Sequence, residues 1–270
     1  MADTARSFHD LNYIDTLSVK DSPVHRMDPR AKLVTFTVFT VCIVSFDKYE
    51  VSGLLPYFLF PAIIIPLAGI PARYLVRKLL FLFPFAVFIP MFNPLYDTLT
   101  LFSIGPLGIT GGMVSFASII IRFMLSVLAA LMLIAVTGFN GICMALERFG
   151  VPKAFSVQLM MLYRYIFVLT SEASGMARAR DLRAVGAKGM GMKVYGSLAG
   201  HLLMRTWHRA QRIHMAMLSR GYRGDFFLKR PLRLTCTDIT FFIGWSAAFI
   251  ALRFINLPSV AGQFIMGVLS

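Results

Sequence analysis

Acidic residues and cysteines are both scarce in this chain. Only 13 of its 270 residues are Asp or Glu, against 27 Lys and Arg, and the formal net charge is +14. The cysteines Cys42, Cys143 and Cys236 form neither a CxxC pair nor a Cys/His ligand spacing. His201 and His208 share a predicted helix face with arginines, which repel a metal cation. We therefore predict no disulfide and no metal site, and interpret the cysteines as small apolar residues.

Apolar residues, in contrast, dominate the composition. They make up 57% of the chain, which contains 25 Phe and 16 Met and has a mean hydropathy of +0.70. A soluble domain of this size would leave too much apolar surface in contact with water. Several segments approach the roughly 20 residues with which a helix crosses a bilayer. The sequence therefore predicts an all-α polytopic membrane protein.

Four domains follow from the distribution of apolar and charged residues. Residues 1–29 contain no apolar core, so we expect a cytoplasmic N-terminal segment without a signal peptide. Residues 30–152 form a four-span membrane bundle, 153–233 a cytoplasmic domain, and 234–270 a last span with a tail, 255–270, that the pattern does not place. About five transmembrane helices are predicted, at 33–46, 51–70, 79–94, 112–137 and 235–254. The bias in Lys and Arg places the N-terminus inside.

The start of the first span has its own signals. Asp28 is suited to cap a helix, and Pro29 fits the first helical position, where a missing N–H costs nothing. Arg30 and Lys32 are expected to extend toward lipid headgroups.

Three further features of the membrane part give specific expectations. Pro56, Pro61 and Pro66 predict a kinked or irregular second span. Residues 95–111 are rich in turn residues and are placed outside. Arg122 is the one clear charge within a predicted span; it is either a gate or partner contact, or an arginine that bonds backbone carbonyls or snorkels.

Catalytic motifs are absent from the sequence. Ion-coupled secondary transporters commonly bury carboxylates, but all 13 acidic residues lie in the termini, the loops or the basic block, apart from Asp238 near the start of the last span. There is no aspartate pair, HExxH motif or serine with a base for intramembrane proteolysis. The segment "GAKGMGMK", residues 186–193, has the glycine spacing of a phosphate-binding loop, but Met192 occupies the lysine position. We therefore predict that this chain is not an enzyme and does not hydrolyse ATP.

Basic residues are concentrated in residues 153–233, where we predict two long amphipathic helices. Thirteen of the 27 Lys and Arg lie between Arg178 and Arg233, which is typical of the cytoplasmic side of a membrane protein and suits anionic headgroups or an acidic protein rather than nucleic acid. Arg180 and Arg220 each lie near the predicted C-terminal end of a helix, where a cation is favoured. Each follows a small residue, which leaves the guanidinium uncrowded and able to bond an acidic groove bidentately. Gly221 is suited to a left-handed helix cap.

Four stretches together resemble a known family. The triplets Ala179-Arg180-Asp181 and Ser219-Arg220-Gly221 are similar to the two X-Arg-X signatures of the T component of energy-coupling factor (ECF) transporters. "PVHRMDPRAKL", residues 23–33, and "ALERFGVPKAF", residues 145–155, resemble segments of its cobalt branch, the CbiQ family. Asp181 departs from the pattern, since many relatives have Gly or Ser there.

The resemblance implies a coupling role in an ABC-type importer. The T component joins a dimer of cytoplasmic ABC-type ATPases, which bind ATP and Mg²⁺, to a membrane subunit that binds the substrate, here a cobalt-type S component. Its two cytoplasmic coupling helices each insert an arginine end into an ATPase groove, and the two triplets are the implied docking residues. Arg178, Arg183, Tyr222 and Arg223 are expected to support them, and Met204, Trp207 and Leu218 to pack against the other coupling helix or the headgroup layer. The implied location is the bacterial inner membrane.

Two alternatives remain open at this point. A stand-alone secondary transporter would act without ATPases, and a membrane scaffold would use the same basic helices to dock another partner. The substrate is Co²⁺ by resemblance, with Ni²⁺ next.

Overall fold

The first long helix starts where the local sequence predicts. In the computed structural model, which describes residues 16–18, 20–93, 100–104, 107–183, 191–224 and 234–254, helix α2 spans Pro29–Val44. The Asp28 carboxylate accepts a hydrogen bond from the Arg30 backbone N–H at 2.9 Å, and Pro29 occupies the first turn. Because both residues satisfy or remove N–H groups that a helix start leaves without partners, the predicted cap is confirmed.

The regular elements of the described residues are helices apart from one small hairpin, which confirms the all-α fold class. The elements in chain order are α1 Pro23–Arg26, α2, a 3₁₀ helix Ser52–Phe58, α3 Leu59–Leu67, α4 Ala72–Phe88, a 3₁₀ turn Ile89–Phe92, β1 Thr100–Ile104, β2 Leu107–Thr110, α5 Gly111–Arg148, α6 Lys153–Arg183, α7 Met192–Ser219 and α8 Cys236–Phe254. They fall into two units, Met1–Ala145 with Leu232–Ser270, and Leu146–Pro231.

The membrane spans differ in part from the prediction. Four described helices are long and apolar enough to cross a bilayer, which is one fewer than about five: Ala72–Phe92, Gly111–Arg148, Lys153–Arg183 and Cys236–Phe254. The predicted spans 79–94, 112–137 and 235–254 fall on three of these. The fourth is α6, which lies in residues 153–233, the segment predicted to be cytoplasmic. It is apolar enough to count as a span because its N-terminal part is apolar, although its end is charged.

The first two predicted spans are shorter than a full crossing. Helix α2 has 16 residues, and the second span divides into the 3₁₀ helix and α3. Pro56 lies inside the 3₁₀ helix and has no N–H to donate, so an uninterrupted α-helix is disfavoured there. The prediction of an irregular second span is confirmed.

The predicted external loop contains regular structure that was not expected. Strands β1 and β2 pair antiparallel, with Thr100 opposite Thr110 and Ile104 opposite Leu107. Thr, Phe and Ile within "TLFSI" favour extended backbone, and this preference outweighs the surrounding turn residues.

An aromatic cluster fills the core of the first unit. Phe36 and Phe39 of α2, Phe60 of α3 and Phe249 of α8 are almost fully buried, with ring centroids 4.8–5.1 Å apart for the pairs Phe36–Phe60, Phe39–Phe60, Phe39–Phe249 and Phe60–Phe249. The Tyr57 hydroxyl donates to the Phe249 carbonyl at 2.8 Å. These edge and tilted contacts are the favoured geometries for aromatic rings, and they join the first and last long helices of the unit.

Arg122 bonds a backbone carbonyl, which is one of the alternatives predicted for it. Its guanidinium donates to the Asp47 carbonyl in the turn after α2. The interpretation that Arg122 bonds a backbone carbonyl is therefore favoured over a gate.

Helix α5 breaks at the predicted end of the fourth span. Gly138 has φ 69° and ψ 157°, a conformation open mainly to glycine. A β-carbon at this position would lie 3.0 Å from the Ser18 Oγ atom. The break removes the regular acceptor role of the carbonyls that precede it, so these groups need other donors.

Lys32 supplies one of those donors. Its side chain is 1% exposed, and its Nζ atom donates to the carbonyls of Val136 and His25, both at 3.3 Å. The expectation that Lys32 extends to headgroups is wrong, because the carbonyl freed near the Gly138 break lies within its reach.

Two buried carboxylates accompany Lys32. The Asp238 side chain accepts from the backbone N–H groups of Asp28 at 3.0 Å and Thr235 at 2.8 Å, and both aspartates attract the Lys32 ammonium. Asp28, Lys32 and Asp238, which we call the Lys32 cluster, therefore connect the starts of α2 and α8 to the break in α5.

Replacing Lys32 by Met should destabilise the protein. The change removes the donor to two carbonyls and the positive charge that Lys32 places near the buried carboxylates of Asp28 and Asp238, a loss of about 2–3 kcal/mol in the free energy of unfolding. Denaturant titration in detergent micelles would measure it, with Arg77→Met, an exposed position, as the matched control. Equal stability of the two variants would contradict the role of Lys32.

Replacing Gly138 by Ala should also destabilise, for a backbone reason. Alanine is strained at positive φ and its methyl group would press on Ser18, so we expect a loss of about 1–2 kcal/mol. Gly244→Ala is the control, because its added β-carbon meets no atom within 4 Å. The same titration applies, and a Gly138→Ala protein as stable as the control would refute the strain.

Candidate functional site

The second unit contains all the predicted docking residues. Helices α6 and α7 pack against each other, and each carries one arginine triplet at its C-terminal end. The segments 184–190 and 225–233 lie outside the described residues, and so do most of "GAKGMGMK" and the tail 255–270.

Arg180 lies in the last turn of α6, as predicted. Its side chain is 23% exposed, and its Nη1 atom is 3.5 Å from the Asp181 Oδ1 atom. Ala179 and Asp181 are exposed, as are Arg178 and Arg183. The Asp181 carboxylate therefore interacts with the guanidinium charge of Arg180 within the same helix.

Arg220 is held by a complete helix cap. Gly221 has φ 79°, its N–H donates to the Leu218 carbonyl at 2.9 Å, and the Tyr222 N–H donates to the Met217 carbonyl at 3.0 Å. This pair of bonds is the Schellman motif, which satisfies the last carbonyls of a helix. The predicted role of Gly221 as a left-handed cap is confirmed, and the backbone of Arg220 is fixed at the cap position.

The residues around Arg220 leave its side chain accessible. Ser219, Arg220, Gly221 and Arg223 are exposed and Tyr222 is half-buried. The Ser219 hydroxyl donates to the Met215 carbonyl at 2.9 Å, within its own helix. The Arg220 guanidinium is thus presented at a rigid helix end, next to the negative pole of the helix dipole.

The apolar residues of α7 do not pack as expected. Met204, Trp207 and Leu218 are all exposed, so the prediction that they pack against the other coupling helix is wrong within this chain. The headgroup layer remains the alternative partner for them.

Charged residues make the contact that the sequence analysis missed. The Glu172 carboxylate of α6 lies 3.6 Å from the Arg205 Nη1 atom and 3.3 Å from the Arg209 Nη2 atom of α7. Its signal in the sequence is its isolation, since it is the one acidic residue between Lys153 and Arg180.

Metal-binding chemistry has no counterpart in the part of the chain that the structure describes. No group of three or more His, Cys, Asp or Glu residues there is arranged to hold an ion. The candidate site residues that the structure does describe are the arginines at two helix ends.

Several of the known proteins that this chain resembles are transport proteins. An energy-coupling factor transporter transmembrane protein, EcfT, of Thermosediminibacter oceani is 30% identical over 265 residues, covering 91% of this chain and 95% of that protein. EcfT of Bacillus subtilis is 28% identical, covering 75% and 82%, and the cobalt transport protein CbiQ of Salmonella typhimurium is 30% identical, covering 47% and 58%. The family model for CbiQ, cobalt transport protein, matches residues 20–230. The chain is a multi-pass membrane protein that belongs to the CbiQ family.

Proposed function

We propose that this chain is the transmembrane coupling subunit of an ECF-type ABC importer in a bacterial inner membrane. It transmits ATP-driven movement of a cytoplasmic ATPase dimer to a separate membrane subunit that binds the substrate. The observation that carries this proposal is the placement of Arg180 and Arg220 at the C-terminal ends of two helices that pack against each other.

The geometry at Arg220 suits a transmitted force. A cap that satisfies the carbonyls of Met217 and Leu218 keeps the helix intact to its end, so a displacement applied to the arginine moves the whole helix. An arginine fork bonds a carboxylate bidentately, which fixes orientation as well as position. Such a contact can carry both push and pull between two proteins.

Arg180 fits the same role with a difference. Its contact to Asp181 is part-exposed, and a solvent-exposed ion pair contributes only about 0–1 kcal/mol. A deeper acidic groove on a partner would outcompete it. The two arginines are therefore equivalent in position but unequal in accessibility.

The division of labour assigns the chemistry to other subunits. ATP and Mg²⁺ would be bound by the ATPases, because residues 186–193, which have the glycine spacing of a phosphate-binding loop, carry Met192 in place of the lysine. The name of the Salmonella relative and the description of the family model both specify cobalt. We propose Co²⁺ as the cargo, held by the substrate-binding subunit rather than by this chain.

The buried carboxylates of Asp28 and Asp238 are relevant to the alternative function, a stand-alone secondary transporter. Ion-coupled carriers use intramembrane carboxylates, and Asp28 and Asp238 are both buried. However, Asp238 already accepts two backbone N–H bonds, and Asp28 caps α2. These bonds assign the two carboxylates to the fold and leave the coupling subunit as the better-supported function.

Reversing both charges should abolish assembly with the ATPases. In the double variant Arg180→Glu, Arg220→Glu, each acidic groove would face a like charge, and losing a buried charged contact costs about 2–5 kcal/mol per site. Affinity purification from detergent-solubilised membranes should recover the ATPase pair with the unmodified chain and not with this variant. Arg212→Glu, an exposed change on α7, is the control. Full ATPase recovery by the double variant would refute the docking role.

Co²⁺ transport should require the ATPases. In liposomes that contain the complete complex, we expect Co²⁺ uptake only when ATP is present on the side of the membrane that carries the ATPases. Uptake of Ni²⁺ should be weaker. Uptake by this chain reconstituted alone would instead establish a stand-alone transporter, and ATP-dependent uptake of neither ion would reject cobalt as the cargo.

A further inference from the structure

The two coupling helices have few fully buried residues. In the described residues, Ser156 is the one buried residue of α6, and α7 has none. One face of α7 is half-buried and mostly apolar, and it includes Val194, Leu198, Leu202, Ile213 and Met217. Burial of apolar surface is the usual source of helix-helix affinity, so the ion pairs between α6 and α7 supplement a face that is only partly buried.

Glu172 makes the ion-pair contacts between them. Its side chain is 19% exposed, and each carboxylate oxygen faces a different arginine of α7, Oε1 toward Arg205 and Oε2 toward Arg209. Arg205 and Arg209 are four residues apart, so they lie on one face of the helix, one turn apart. One carboxylate thus contacts two successive turns, which restrains sliding of α7 along α6 as well as separation.

The contact lies well away from the arginine ends. Glu172 precedes Arg180 by eight residues and Arg209 precedes Arg220 by eleven, which at 1.5 Å per residue is about 12 Å and about 16 Å along the helix axes. A displacement at either end reaches the other helix through the contacts between them, in addition to the chain that connects them.

We propose that Glu172, Arg205 and Arg209, the Glu172 cluster, are positioning residues that couple α6 to α7. A displacement of Arg180 or Arg220 is transmitted from one helix to the other through this cluster. The inference rests on the proposed function, since it assumes that partner subunits act on the arginine ends.

Distance measurement between the helix ends tests the proposal. Spin labels at the exposed positions 182 and 215 would be introduced as Leu182→Cys and Met215→Cys in the full chain, with the three native cysteines changed to Ala, in lipid nanodiscs. Glu172→Gln keeps the side-chain shape and removes the charge, so we expect a broader distance distribution and loss of the distance change that ATP causes in the assembled complex. Arg212→Gln, on the same helix, should leave both unchanged.

Charge reversal separates coupling from simple loss of structure. The triple variant Glu172→Arg, Arg205→Glu, Arg209→Glu restores opposite charges across the interface, so it should recover the narrow distribution and the ATP response. An unchanged distribution and ATP response in Glu172→Gln, or failure of the triple variant to recover them, would overturn the proposal. Failure of the unmodified chain to bind any ATPase would instead overturn the proposed function. The distance distributions measured without ATPases would still test the Glu172 contact by themselves, so the two failures can be told apart.

Discussion

The first unit depends on one constraint, which is that a polar backbone group removed from water must find another partner. A membrane bundle cannot leave a carbonyl unsatisfied in hydrocarbon, where the loss is several kcal/mol. The break at Gly138 creates such a need, and the ammonium of Lys32 meets it by bonding the Val136 carbonyl. Burying that ammonium in turn requires the carboxylates of Asp28 and Asp238. One backbone irregularity thus explains why a buried cluster of charges exists in an otherwise apolar bundle.

The second unit follows a different rule. Helices α6 and α7 bury almost no side chains in the described residues, and the ion pairs between them join charged groups that remain partly exposed. Exposed pairs of this kind contribute little to stability individually, so their proposed role is to fix the relative position of the two helices.

Sequence reasoning succeeded where the signal is local. The Asp28-Pro29 helix start, the irregular second span and the Gly221 cap each depend on a few neighbouring residues, and all three were predictable. It failed where distant residues meet, since Lys32 and Val136 are 104 residues apart and Glu172 finds its arginines on another helix. The hairpin at residues 100–110 was missed because turn residues around it hid a short run of strand formers. The roles of Arg180 and Arg220 came from resemblance and remain predictions.

The unequal spacing of the two arginine ends from Glu172 has a mechanical consequence. If α6 and α7 turn about that contact through equal angles, the ends travel in proportion to their distances from it, so Arg220 moves roughly a third farther than Arg180. If two proteins bound at these ends moved together symmetrically, the two helix ends would then be displaced by unequal distances. The pair of helices would act as a lever with arms of different length, biased toward the end that carries the rigid cap.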